Sequence, residues 1–277
     1  MWGIMSPVSK GLLAGGVISG TALADMRLIT GTILFWLVSL FIKKEKIDRG
    51  DYFKLIGAAF FSSALTQILF VNGVERTSPV DASICTSSLP IWTVLLSVLL
   101  KKERSSFKAA FGITVGLCGS LLLVLNGAVN NPSGAHDLIG DLMCVGSQIS
   151  YAIYLVCFQD IIRKYSAATL MKWKYLFGAM MLLPFSSMTL GTVDLSGFTM
   201  NNWGALLYVL LFGTFLSYLI VPIGQKTLKP TVVAMYNYLQ PVSAAALCTL
   251  TGVESFSIVK LVALILIYLG VMTVSKT

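Results

Sequence analysis

The sequence predicts an all-α membrane protein with many spanning helices, and three observations support that fold class. Of the 277 residues, 56% are hydrophobic and 12% are charged, about half the roughly 25% charged residues of soluble domains. Apolar stretches of about 20 residues recur, the length at which a helix crosses a ~30 Å hydrocarbon core. Runs such as VSLFI and LLSVLL do not alternate between apolar and polar residues, unlike the strands of a membrane β-barrel.

Hydropathy and loop residues divide the chain into ten predicted transmembrane segments joined by short connections. The segments run over residues 2–17, 22–42, 53–74, 80–100, 106–125, 138–158, 169–189, 203–224, 230–250 and 256–275. Little sequence remains outside them, so we expect no soluble domain. The five cysteines all lie inside apolar segments, and we interpret them as packing residues rather than as disulfides or metal ligands.

The distribution of basic residues predicts the orientation of the segments, because cytoplasmic connections carry an excess of Lys and Arg. Sixteen basic residues, Lys174 included, fall in the connections after segments 2, 4, 6 and 8 and in the C-terminal tail. The opposite side carries three, which are Arg27, Arg76 and Lys260. We therefore predict that both termini are cytoplasmic. The net charge of +8 then reflects topology, and we expect no nucleic-acid partner.

The two halves of the sequence are similar to each other. An offset of 151 residues relates four pairs of landmarks, which are Gly73 and Gly224, Pro90 and Pro241, Glu103 and Glu254, and Gly119 and Gly270. Residues 1–127 and 137–277 are thus predicted to be two copies of a five-helix unit. Because five is odd, the second copy is inverted in the membrane. Inverted repeats are a common construction of secondary transporters, which bind substrate near the midplane.

Several motifs resemble the EamA-like family of the drug/metabolite transporter superfamily. They are the opening WGIMSPVSK, Arg27 in ADMRLITGTILF, and two proline-containing helices that are each followed by Glu, LPIWTVLLSVLL and LQPVSAAALCTL. The resemblance extends over essentially the whole chain. It implies export of amino acids or related small metabolites across a bacterial inner membrane, although uptake and exchange also occur among relatives. The family's first helix usually begins well before its WG, so we expect the first helix here to be truncated at its N-terminus.

Two prolines are predicted to lie in the middle of segments 4 and 9. Proline inside a helix removes a hydrogen bond and frees the carbonyl four residues earlier, here those of Thr86 and Asn237. We interpret Pro90 and Pro241 as hinges of helices that line the substrate path. The alternative is an ordinary packing kink.

Polar and aromatic residues at comparable depth are the predicted substrate-binding residues, with hydrogen bonding between helices as the alternative role. The set consists of Lys10, Gln67, Ser88, Trp92, Gln148, Tyr151, Asn237, Tyr238 and Gln240. Lys10 belongs to it as the one ionisable group expected deep in a segment, unless it extends to the outer interface. Arg27 is expected near the outer face, paired with Asp25 or Asp81.

We therefore predict a secondary transporter that works by alternating access, in which two inverted bundles rock about a central cavity. Its partners are the lipid bilayer and a small-molecule substrate, and it is a monomer or a homodimer. The alternatives are an enzyme embedded in the membrane and a channel or scaffold. We expect neither an enzyme nor a cofactor, because the sole histidine, His136, lies in a connection and the HExxH motif is absent. Asp137 and Asp141 form a DxxxD that we interpret as complementing a helix dipole, not as a metal site.

Overall fold

The computed structural model describes the chain in twelve stretches, and within them the structure is helical and contains no β-strand. The stretches are residues 2–14, 18–42, 45–76, 85–102, 107–130, 138–186, 190–191, 193, 197–240, 242–243, 246 and 258–275. The helices at the predicted segments are α1 (Trp2–Ala14), α2 (Gly20–Phe41), α3 (Asp51–Arg76), α4 (Leu89–Leu99), α5 (Phe107–Asn130), α6 (Leu138–Cys157), α7 (Ala167–Ser186), α8 (Met200–Thr227), α9 (Pro230–Met235) and α10 (Ile258–Ser275). A short helix, Gln159–Lys164, follows α6.

Among the described helices, four are long and apolar enough to cross a membrane, namely α2, α3, α6 and α8. Shorter apolar stretches lie in α4, α5 and α10. Large apolar side chains remain exposed on these helices, such as Phe111 on α5 and Leu211 on α8. An exposed apolar surface of this extent fits contact with lipid rather than with water. The structure therefore agrees with a multi-pass membrane protein.

Local sequence signals fix several helix ends. The side chain of Ser19 accepts a hydrogen bond from the N–H of Ala22 at the start of α2, and Thr199 caps α8 through the N–H of Asn202. Such caps satisfy backbone donors that have no partner within the helix. Helices α1, α2, α3, α6, α7, α8 and α10 begin and end within three residues of their predicted bounds.

The prediction that Pro90 lies in the middle of a helix is wrong. Ser87 and Ser88 form a turn, and Pro90 falls in the first turn of α4, which begins at Leu89. Proline suits this position, because the N–H groups of a first turn have no partner within the helix. In segment 9, α9 passes into a 3₁₀ turn over Tyr236–Tyr238. Pro241 lies outside the described residues.

Two of the described helices contain stretches of π-helix, in which the backbone is wider than in an α-helix. They are Phe60–Leu65 within α3 and Tyr208–Leu216 within α8. In α3 the hydroxyl of Thr66 donates to the carbonyl of Phe61, five residues earlier. In α8 the hydroxyl of Ser217 donates to the carbonyl of Phe212 at 2.7 Å. Such stretches are rare in proteins, and where they occur they often lie at functional sites.

The chain packs into two compact units that do not coincide with its sequence halves. Unit one comprises Met1–Asn72 and Cys157–Thr227, and unit two comprises Gly73–Val156 and Leu228–Thr277. Unit one thus contains α2 and α3 from the first half with α7 and α8 from the second. Unit two contains α4 and α5 with α9 and α10.

In unit one, α2 and α7 pack against each other in antiparallel orientation. Near one end the hydroxyl of Ser186 donates to Asp25. Further along, the ring centroids of Phe35 and Tyr175 are 5.1 Å apart. Gly31 lies directly against the Tyr175 ring, where no side chain would fit. The small residue lets the two helices approach closely.

In unit two, α5 and α10 form a close antiparallel crossing through small residues. A Cβ added to Gly270 would lie 2.6 Å from the carbonyl oxygen of Gly112. Along the same crossing, a Cβ added to Gly119 would lie 2.8 Å from the carbonyl oxygen of Ala263. Small residues that allow backbones to touch are typical of helix packing in membranes.

Candidate functional site

A buried arginine lies at the centre of a polar cluster inside unit one. Arg27 on α2 is only 5% exposed. Its Nε donates to the hydroxyl of Thr214 at 2.9 Å, and its NH1 donates to Oε1 of Gln67 at 3.0 Å. Tyr218 also interacts with Arg27, electrostatically and through a side-chain hydrogen bond. Hydrogen bonds to neutral groups on α3 and α8 therefore hold the guanidinium in a fixed orientation.

The π-helical stretch of α8 prepares one of these partners. The hydroxyl of Thr214 donates to the carbonyl of Val209, five residues earlier, at 2.9 Å. Its oxygen is thereby oriented to accept the hydrogen bond from Arg27. Gln67 and Tyr218 each lie two residues beyond the end of a π-helical stretch. The cluster is thus built beside the π-helical stretches of α3 and α8.

A second cation lies in the same unit, and its predicted position is wrong. Lys174 was counted among the basic residues of the connection after segment 6, but it lies within α7 and is 1% exposed. Its ammonium lies 5.0 Å from the centroid of the Tyr218 ring. Lys172, two residues earlier, lies 3.9 Å from the centroid of the Trp36 ring. Residues two apart on a helix face different directions, so the two lysines have different surroundings.

A network of ion pairs joins the connection before α3 to the residues just before α7. Lys164 donates to the carboxylates of Asp48 and Asp51, at 2.5 Å each. The hydroxyl of Tyr165 donates to Asp51 at 2.7 Å and accepts from the backbone N–H of Asp48 at 3.1 Å. These bonds with the two aspartates raise the pKa of Lys164 above its ordinary value.

Glu45 extends this network. Its carboxylate accepts a hydrogen bond from the N–H of Ser166 at 2.9 Å. Burial acts to raise the pKa of Glu45, but the hydrogen bonds from Ser166 and Thr169 and the charge of Lys226 together outweigh it, so the pKa is lowered overall. The network fastens two connections of unit one to each other.

The predicted substrate-binding residues fall in both units. Lys10 and Gln67 belong to unit one and the others to unit two. Gln67 is buried and binds Arg27, whereas the side chain of Lys10 lies outside the described part of the chain. Among the predicted residues whose side chains the structure describes, Gln67 is the one that hydrogen-bonds to Arg27.

In unit two, neighbouring pairs of the predicted residues bind each other. Nε1 of Trp92 donates to the hydroxyl of Ser88 at 3.1 Å. Nε2 of Gln240 donates to Oδ1 of Asn237 at 2.8 Å. All four side chains are half-buried, so they are partly accessible.

The remaining three are more deeply packed. Nε2 of Gln148 donates to Ser147 at 3.0 Å, and Tyr151 packs against Tyr154 with ring centroids 5.6 Å apart. Tyr238 is fully buried against Gly116, and its hydroxyl donates to the carbonyl of Ile113 at 3.3 Å. The described contacts of Tyr238 are therefore those of a packing residue. Within the described residues, no group of His, Cys, Asp and Glu side chains is arranged to hold a metal ion.

Comparison with known families and proteins extends this description. The sequence model of the EamA-like transporter family matches two stretches, residues 1–125 and 138–276. The uncharacterized transporter YetK of Bacillus subtilis is 26% identical over 250 residues, which cover 90% of this chain and 76% of YetK. The uncharacterized inner membrane transporter YicL of Salmonella typhimurium is 22% identical over 281 residues, covering 99% of this chain and 91% of YicL. A solved crystal structure, 16% identical, superimposes with a TM-score of 0.76 over 98% of this chain and 93% of that one, which shows a shared fold.

Proposed function

Because the chain belongs to the EamA-like transporter family, we propose that it is a secondary transporter that moves a small metabolite across a membrane by alternating access. The two matched stretches nearly coincide with the predicted halves, residues 1–127 and 137–277. Transport by alternating access requires a substrate-binding site that opens in turn to either side of the membrane. Inverted repeats supply this property through their internal symmetry.

The observation that carries the proposal is the correspondence between the two π-helical stretches. The offset of 151 residues places Phe60–Leu65 onto residues 211–216, inside the stretch Tyr208–Leu216. It also places the hydrogen bond from Thr66 to Phe61 onto the one from Ser217 to Phe212. A rare backbone form with the same side-chain bond at equivalent positions supports two copies of one unit.

The helix crossing in unit two supports inversion of the second copy. The same offset relates Gly112 to Ala263 and Gly119 to Gly270, so it exchanges the two close contacts between α5 and α10. These helices are antiparallel. Equivalent helices that run in opposite directions are what an inverted repeat requires.

We further propose that the bodies that stay rigid during transport are the two compact units rather than the sequence halves. Each unit has its own hydrophobic core. In unit one the core includes Leu12, Leu23 and Val209, and in unit two it includes Met235 and Ile267. A body with a packed core moves as a whole, because close-packed interiors resist deformation.

The proposals for location, orientation and substrate rest on the family and on the charges. The name of YicL places that relative in an inner membrane, and we propose the same location here. With the buried Lys174 and Arg27 both left out, fifteen basic residues remain on the proposed cytoplasmic side against two opposite, so both termini are proposed to be cytoplasmic. Export of amino acids or related compounds is the favoured activity.

Counterflow in proteoliposomes tests the function. Purified protein would be reconstituted with each unlabelled amino acid inside, and uptake of the same labelled amino acid would be followed from outside. We expect uptake that saturates and that competing substrate reduces, with empty liposomes as the control. Flux that rises linearly with concentration would indicate a channel, and chemical conversion of the substrate would indicate an enzyme. Either result would reject the proposal.

A further inference from the structure

We propose that the arginine cluster of unit one binds a carboxylate group of the substrate, with Arg27 as its anchor and Lys174 as the second cation. The inference rests on the proposed transport function and names the substrate class, a small organic acid with one carboxylate to recognise. It concerns residues that mostly lie outside the predicted substrate-binding set.

The geometry of Arg27 suits a planar anion. A guanidinium has five N–H donors in a rigid fork. The hydrogen bonds to Thr214 and Gln67 use two of them, and Tyr218 also hydrogen-bonds to the group. These bonds fix the plane of the group before a ligand arrives. A carboxylate can accept two parallel hydrogen bonds from such a fork. The arginine is therefore held in place in advance, which lowers the entropic cost of binding.

Charged side chains are also buried in the interior of unit one. Among the described residues of unit one, the deeply buried charged groups away from the Lys164 network are Asp25, Arg27 and Lys174. Ionisable groups inside a membrane are costly and usually serve a function. One carboxylate would balance the charge of the Arg27 guanidinium, whereas a phosphate ester with about −1.5 to −2 charges would exceed it.

The repeat indicates that packing alone does not require these cations. The offset of 151 residues relates Arg27 to Gly178 and Lys174 to Leu23. At each of these two positions one half has a cation where the other half has an uncharged residue. The offset also relates Ser63 to Thr214, so the contact between Gly178 and Ser63 is equivalent to the one between Arg27 and Thr214. A Cβ added to Gly178 would lie 2.9 Å from Cβ of Ser63. The fold thus forms the same helix contact without a charge.

Binding to the purified protein tests the inference. Ligand-dependent thermal stabilisation and dissociation constants would be measured for acids and their uncharged or phosphorylated counterparts. The probes are the L-amino acids, phenylacetate with phenylacetamide, and glycerol 3-phosphate. We expect at least one carboxylic acid to stabilise the protein. Its amide and the phosphate ester should bind at least tenfold more weakly.

Variants locate the site. Arg27→Lys keeps the charge but loses the fork, and we expect affinity for the acid to fall at least tenfold. Lys174→Met should reduce it by a similar factor. Lys172→Gln is the matched control, because it removes the same charge two residues away beside Trp36, and affinity should stay within twofold. If Arg27→Lys fails to fold, Lys174→Met and the comparison of acid with amide still decide the matter.

The proposal is overturned if no acid binds, if acid and amide bind equally well, if the phosphate ester is preferred, or if folded Arg27→Lys and Lys174→Met bind the acid normally. Its failure differs from failure of the proposed function. Counterflow of an uncharged or cationic metabolite, without binding of any acid, would keep the transporter and reject the carboxylate site. Acid binding that depends on Arg27, without counterflow, would keep the site and reject the transporter.

Discussion

Substitution of Gly270 by alanine tests the close crossing of α5 and α10 quantitatively. The added Cβ would lie 2.6 Å from the carbonyl oxygen of Gly112 and 2.7 Å from the backbone nitrogen of Gly116. Both are backbone atoms, so no side chain can turn away to make room. The helices must separate by about 0.8 Å to restore an ordinary contact distance of about 3.4 Å.

A gap of this size removes between a quarter and a half of the dispersion energy of each atom pair across the crossing. Overpacking by one methyl group typically costs 1–3 kcal/mol, and we expect about 2 kcal/mol here. At roughly 2–4 °C per kcal/mol for a chain of this size, the melting temperature of Gly270→Ala in detergent should fall by about 4–8 °C.

The matched control is Gly224→Ala in α8, where an added Cβ meets nothing within 4 Å. This change should stabilise the protein by about 0.5–1 kcal/mol, because alanine loses less backbone entropy than glycine in a helix. The reasoning is refuted if Gly270→Ala melts with, or above, the wild type while Gly224→Ala behaves as expected.

Three further predictions concern the network, the proline and the topology. Glu45→Gln should lower the melting temperature at pH 7, and the difference should vanish at low pH. The lowered pKa of Glu45 means that its contribution is complete above the ordinary pKa of 4.5 and is lost as the pH falls through the folded-state value; a difference that persisted at low pH would contradict this. Pro90→Ala should change stability by less than about 1 kcal/mol, because Pro90 lies in the first turn of α4. A severalfold loss of counterflow in this variant would support the hinge, and normal counterflow would oppose it. Single cysteines at positions 46 and 104 should react with a membrane-impermeant thiol reagent added on the cytoplasmic side, and those at 130 and 194 with reagent added outside. Labelling of position 130 from the cytoplasmic side would contradict the proposed topology.

Much of the helical framework could be predicted from the sequence, because its signals are local. Apolar runs of membrane-spanning length mark α2, α3, α6 and α8, and the polar connections between them set their ends within a few residues. Segment 4 differs from its prediction, because its main helix begins at Leu89. Proline is compatible with either a kink or a first turn, and only the neighbouring turn at Ser87 and Ser88 decides between them.

The arginine cluster could be predicted only in part. Arg27 and Gln67 are conspicuous polar residues within apolar runs, but their partnership depends on how α2 and α3 pack. Lys174 was missed because the sequence LMKWKY resembles a basic cluster at a membrane surface. Its spacing of four residues from Gly178, a small residue on the same helix face, was an available sign that it points into the protein. The π-helical stretches leave no recognised pattern in the sequence, because they arise from packing and from hydroxyls that bond five residues back.

The composition of the two compact units has a consequence for how the protein is made. Unit one begins with residue 1 but is not complete until Thr227 has been synthesised, and unit two must wait for the last helix. Helices α2 and α3 therefore enter the bilayer well before their partners α7 and α8 leave the ribosome. During that interval the polar groups of Arg27 and Gln67 can satisfy each other but lack Thr214. The first half released alone would lack part of one core and most of the other, so we expect it to be held or degraded by the membrane quality-control machinery rather than to persist as a folded domain.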